Sequence, residues 1–163
     1  MNQAKANGRF HDSRSDVQKE IEQIVLPILS EQFGVKLLPD QKLRFDSDTW
    51  CEPDGATEDE SVVVEIYAHQ GALAGAQKHK PAVDLLKLAT LRQTRPEARL
   101  IFVFLDDAAY RSFTGWKAYA ADAFGVEVMT MPIDSEHAAR ILKTQDAQRR
   151  GATQFRSKGD PAP

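Results

Sequence analysis

Apolar positions along the chain change period several times, and those changes divide it into elements. Between residues 16 and 33, Val17, Ile21, Ile24, Val25, Ile28 and Leu29 recur at helical spacing, and Gly34 follows as a stop signal. Pro27 lies inside this stretch and predicts a kink or a break. The pattern then becomes strand-like over residues 35–45, 49–53 and 62–68, with the acidic segment 55–60 as the turn joining the last two. A Gly71-Ala72-Leu73-Ala74-Gly75 loop leads into a helix around Lys80–Thr94, with Pro81 in its first turn. Residues 99–105 (RLIFVFL) form a continuous apolar run, as in a central strand buried on both faces. A helix over about 109–124, a strand over 126–131 and a helix over 135–148 follow. The order α-β-β-β-α-β-α-β-α predicts an α/β fold, a mixed sheet flanked by helices.

The ends lack this patterning. Residues 1–15 are polar and mixed in charge, and residues 149–163 are basic and rich in glycine and proline, so both read as flexible tails around one domain at 16–148. With 42% hydrophobic and 28% charged residues in 163, the composition is that of a globular protein with its own core. A single cysteine, Cys51, forms no internal disulfide and points to a reducing, cytoplasmic setting. No apolar stretch has the length of a membrane helix. A net charge of −3 argues against a protein that coats nucleic acid by bulk charge. The average conceals a division: residues 46–65 hold eight acids and no Lys or Arg, whereas 76–100 hold six basic residues against Asp84 and Glu97.

The sharpest chemical signal is Cys51-Glu52-Pro53-Asp54, followed after ten intervening residues by Glu65-Ile66-Tyr67. Glu65 interrupts an apolar strand, where a carboxylate is costly to bury without a cation. Two carboxylates brought to one face by a hairpin give the oxygen-rich half-shell that Mg²⁺ prefers. These residues, in this order of elements, resemble the PD-(D/E)xK nuclease superfamily, with its restriction-endonuclease-like α-β-β-β-α-β core. Here a further α-β-α would extend that core. Residues 64–88 are also similar to a segment of small bacterial proteins placed in that superfamily.

The resemblance implies a metal-dependent hydrolase of nucleic-acid phosphodiester bonds, with Asp54 and Glu65 as ligands of Mg²⁺ or Mn²⁺. It implies a nucleic-acid partner, DNA rather than RNA, and a homodimer or larger complex as the assembly. The superfamily's lysine, two residues after the acidic residue, is replaced by Tyr67, which carries no charge at neutral pH. Lys80 or Lys78, at the start of the following helix, is expected to supply the missing cation, with Gln77 as a polar neighbour. Glu22 falls on the apolar arc of the first helix and is the candidate for a third acidic group.

Two alternatives come from the same residues. Loss of the motif lysine suits a non-catalytic nucleic-acid-binding or assembly module on the same fold. The Gly71–Gly75 loop suits a nucleotide-binding α/β protein, although it matches neither a Walker A sequence nor GxGxxG. Other signals have structural readings: Cys51 as a small buried residue, Asp106-Asp107 as a helix cap, and Lys87, Arg92 and Arg95 as the solvated face of a helix. Tyr110, Phe113, Trp116, Tyr119 and Phe124 read as core or a partner interface.

Overall fold

A computed structural model describes residues 12–143 and 146. Its centre is a four-stranded mixed sheet in the order β3-β4-β5-β6, built from Gly55–Ala56, Val62–Tyr67, Arg99–Phe104 and Val126–Thr130. β3 runs antiparallel to β4, whereas β4, β5 and β6 are mutually parallel. A parallel pair needs a crossover, and helix α2 (Lys80–Thr94) provides it between β4 and β5. Helices α3 (Asp107–Ser112) and α4 (Trp116–Ala123) lie between β5 and β6. The architecture is therefore α/β, with helices on both faces of the sheet.

Strand alternation decides what each face receives. Val62, Val64 and Ile66 of β4 point to one side, with Ile101 and Val103 of β5, and pack against Ile21, Val25, Leu26 and Leu29 of α1 (Asp12–Phe33). Ile141, from a helix over 135–143, joins this layer, and Arg140 of that helix holds Glu20 of α1 through two hydrogen bonds of 2.5 and 2.6 Å. Val63 and Tyr67 point to the other side, where Phe102 and Phe104 meet Leu85, Leu88 and Leu91 of α2 and Phe113 after α3. β5 is buried along its length apart from Arg99, as its apolar run predicts.

Several expected boundaries move. The helix expected from residue 16 begins at Asp12, because polar first-turn residues carry no apolar period. It passes through Pro27, whose ring is exposed, and ends in a Schellman cap: Gly34 takes φ +66°, with Gly34 N–H donating to Glu31 O and Val35 N–H to Ser30 O. The expected strands at 35–45 and 49–53 shrink to β1 (Leu43–Arg44) and β2 (Trp50–Cys51), which form their own two-stranded sheet. Pro39 and Asp40, the latter at φ +55°, interrupt the first, and Pro53 ends the second. The antiparallel partner of β4 is thus the pair just after Asp54, joined by an isolated bridge between Leu38 and Ala56. Gly55 lies so close to α1 that a Cβ there would sit 2.5 Å from the Leu26 side chain.

The single helix expected over 109–124 is two, separated at Gly115, which takes φ +70°. Asp106 caps the first of them, as expected, accepting from Ala108 N–H, and its other carboxylate oxygen accepts from Gly71 N–H at 3.1 Å. The expected tail at 149–163 and residues 147–148 of the expected last helix lie outside the described residues. No helix among the described residues is long and apolar enough to cross a membrane.

Candidate active site

The β3–β4 hairpin and helix α2 bring the principal acidic and basic candidates together. Asp54 precedes β3, and its Oδ2 accepts the main-chain N–H of Ile66 at 2.6 Å, beyond the two-residue β3–β4 ladder. A side chain thereby finishes the pairing that Pro53 breaks off. Glu65 is 2% exposed and sits on the α2 side of β4. Lys87 of α2 reaches over the sheet, placing its Nζ 2.6 Å from Glu65 Oε1. Oε1 is sealed from solvent, so this ion pair is made in a desolvated setting. One helical turn back, Asp84 holds Lys80 at 2.9 Å.

The electrostatics of these five residues follow from their count. Three carboxylates (Asp54, Glu65 and Asp84) face two ammonium groups, Lys80 and Lys87. Glu65 is raised well above the usual carboxylate range, first by desolvation and then by the charge of Asp54, with Lys87 offsetting only part. Asp54 is raised by burial, against the opposing pull of the Ile66 N–H, Lys80 and Lys87. Desolvation pulls Lys87 down, but Glu65, Asp54 and Asp84 together outweigh it and raise this group as well. Burial is thus the main reason the two acids are raised, whereas the neighbouring carboxylates are the reason the base is.

Tyr67, two residues after Glu65, shares this face. Its ring packs between Phe104 and His69, with centroids 5.3 and 5.4 Å away, and Lys80 Nζ lies 5.7 Å from its centroid. Burial and the charge of Asp84 raise its phenol above the ordinary value, so it is a neutral hydroxyl at physiological pH. That hydroxyl is buried without a hydrogen-bond partner. An unmade buried donor costs about 1–3 kcal/mol.

The other sequence candidates lie elsewhere. Lys78 is exposed, and its carbonyl accepts from Lys117 Nζ at 3.2 Å. Gln77 is half-buried in a short 3₁₀ turn, Gly75–Lys78, where its N–H donates to Ala74 O. Glu22 is half-buried on α1, and among the described residues no three His, Cys, Asp or Glu side chains group as a metal site, so it does not complete a carboxylate trio. The loop at 71–75 spends its amides internally: Gly71 N–H donates to the Asp106 carboxylate and Leu73 N–H to Ser112 Oγ at 2.9 Å. A carboxylate at the Gly71 amide opposes the phosphate cradle that a nucleotide would need. Cys51 is half-buried, and burial raises its thiol, which suits an inert side chain.

Much of the charge division proves architectural. Main-chain N–H groups of Asp48 and Thr49 hold Asp46 below the usual range, and the Thr57 and Ser61 hydroxyls, with the Ser61 N–H, hold Asp59 at about 2. Arg95 pairs with Glu60. Arg92 donates to the carbonyls of Pro96, Ala98, Phe124 and Gly125, tying the end of α2 to β5 and α4. Neither arginine belongs to a solvated face, and Lys87 belongs to the site.

No protein-family model, curated protein or solved structure matches this chain.

Proposed function

We propose that this chain hydrolyses phosphodiester bonds of nucleic acid, DNA by preference, on a PD-(D/E)xK type of core assisted by Mg²⁺ or Mn²⁺. The supporting observation is Glu65, buried in a strand under the charge of Asp54 with Lys87 2.6 Å away. This is the motif's acid–acid–lysine set, with the lysine carried by α2 and Tyr67 in its strand position.

The donor set suits a hard divalent ion. Asp54 and Glu65 offer carboxylate oxygens, and the cluster's three carboxylates outnumber its two ammonium groups. Mg²⁺ commonly takes only one or two protein carboxylates and keeps its waters, so Asp54 and Glu65 would suffice as its protein ligands. Such an ion supplies Lewis acidity at the phosphoryl oxygen. The protein's own contribution lies in the lysines. Lys87, raised by its acidic surroundings, remains protonated and acts as a donor rather than a base, orienting water or stabilising charge beside Glu65. Lys80 meets the phosphate backbone.

A second reading, a binding module that has lost catalysis, is favoured by one observation. Both carboxylates already have internal partners, the Ile66 N–H and Lys87. One experiment separates the two: linear, nicked and single-stranded DNA and RNA are incubated with the protein and Mg²⁺ or Mn²⁺, beside Asp54→Ala and Glu65→Ala. A nuclease cuts at least one substrate, and each substitution lowers the rate on the order of 100-fold or more. Absence of cleavage, with nucleic acid retained without metal, supports the binding module instead.

A further inference from the structure

Helix α2 is inverted with respect to an ordinary surface helix. All of its charged side chains are engaged within the fold: Lys80 pairs with Asp84, Lys87 with Glu65, and Arg92 holds main-chain carbonyls. Its outer stripe is instead Val83, Leu86 and Thr90, the first two 62% and 66% exposed, with the Thr90 hydroxyl spent on the Leu86 carbonyl. Helix α4 repeats the pattern beside it. Lys117 donates to the Lys78 carbonyl just before α2, and Arg92 donates to the Phe124 and Gly125 carbonyls just after α4, so the two helices run parallel and adjacent. By helical phase, Ala82 and Ala89 of α2 and Ala120 of α4 lie on the edges turned toward each other. Trp116 and Tyr119 then continue the outer stripe, at 70% and 76% exposure, while Asp122 turns to the opposite edge of α4, toward β6.

We propose that this face of α2 and α4 is the contact of a symmetric homodimer, with Val83, Leu86, Trp116 and Tyr119 at its centre. The two aromatic side chains alone present on the order of 300 Å². With the aliphatic stripe of α2 added, the face comes within reach of the roughly 800 Å² per partner of a specific interface. Its lack of charge selects the occupant. A charged partner would lose hydration there without gaining a counter-charge, whereas a second copy brings like against like with no repulsion. Related by a two-fold axis, α2 and α4 of the two copies form a four-helix layer between two sheets. Lys80 and Lys87 lie on the edge of α2 opposite Ala82 and Ala89, so each acid–lysine cluster stays at the flank of that layer. The superfamily resemblance implies an assembly without saying which face forms it. Exposure and phase supply the face, and the proposal does not rest on the nuclease reading.

Sedimentation velocity on the full-length chain over a concentration series reads the assembly. The wild type sediments at twice 18.2 kDa and dissociates on dilution. Leu86→Glu and Tyr119→Glu, which set like charges face to face, each weaken self-association about 100-fold or more, and Trp116→Ala weakens it roughly 30-fold. Ile28→Glu, at another exposed apolar site on α1, leaves it unchanged. Circular dichroism checks that each variant keeps the wild-type helix content. In Trp50→Phe, Trp116 is the sole tryptophan, and its emission moves to the red as the dimer is diluted. A wild type that stays monomeric at about 0.1 mM overturns the proposal and leaves the face to a different protein. A dimer that survives both glutamate variants, or that Ile28→Glu breaks, overturns it too, because the contact then lies elsewhere. So does Trp116 emission that is indifferent to dilution through the dimer–monomer transition.

Discussion

The two faces of β4 share one backbone and carry opposite chemistry. Toward α1, Val62, Val64 and Ile66 enter a layer of aliphatic side chains. Toward α2, Glu65 and Tyr67 enter a layer that also holds Lys87, Asp84 and Lys80, with a desolvated ion pair and an unpartnered hydroxyl. The first arrangement is what a strand needs for stability. The second costs stability, and a sequence retains such a cost where a ligand offsets it. The contrast is the physical reason for placing the proposed site on the α2 face.

The largest expected effect comes from breaking the α2 face. Lys87→Met leaves Glu65 without its cation and destabilises the fold by about 3–5 kcal/mol, whereas Lys87→Met with Glu65→Leu recovers most of the loss. Chemical denaturation of the four members of this cycle measures it; equal losses in the single and double variants would mean that packing, not charge, dominates there. On the α1 face, Leu29→Ala costs about 2–5 kcal/mol by opening a cavity, and that loss is independent of pH and of divalent ions.

The third test concerns pH. Glu65 and Asp54 have folded-state pKa values raised above their unfolded ones, so the folded protein binds protons more tightly than the unfolded chain. Their contribution to stability is therefore greatest in acid and declines as pH rises past the usual carboxylate range. Lys87 is raised from an already high value, stays charged throughout and adds no slope there. Urea midpoints measured as pH rises should fall for the wild type, flatten in Glu65→Gln, and keep the wild-type slope in Leu29→Ala. Millimolar Mg²⁺ should reduce the fall in the wild type and in Leu29→Ala but not in Glu65→Gln. The smallest effect belongs to the surface: Arg99→Gln removes a paired but half-exposed contact with Glu127 and changes stability by less than about 1 kcal/mol.

The sequence made the middle of the fold legible. α2 is found at its expected bounds and β5 close to them, because a helical period followed by an unbroken apolar run leaves few alternatives. The short strands before Asp54 were not legible, since their two-residue pairings depend on turns and on contacts distant in sequence. Asp54 and Glu65 were found because an acid in an apolar strand is conspicuous. Lys87 was missed because a lysine on a helix reads as solvent-facing. Its phase contained the signal: at about 100° per residue, Lys80 and Lys87 fall within some 20° of each other, on the same edge of the arc that buries Asp84 and Leu91. Val83 and Leu86, apolar by type, lie across the helix at 62% and 66% exposure. Helical phase was the better guide to which residues face the sheet.

The hold of Arg92 on four carbonyls gives α2 the character of a rod clamped at one end. Its start, by contrast, follows a loop and a 3₁₀ turn that can lengthen without disturbing the sheet. One extra residue in that loop would be taken up before the helix begins. One extra residue between Lys87 and Arg92 would turn the clamp by about 100° relative to the lysines, so that either the carbonyls or the carboxylates lose their partner. Insertions should therefore be tolerated between Leu73 and Lys80 and excluded from there to Arg92, a boundary in permissible length that composition alone does not reveal.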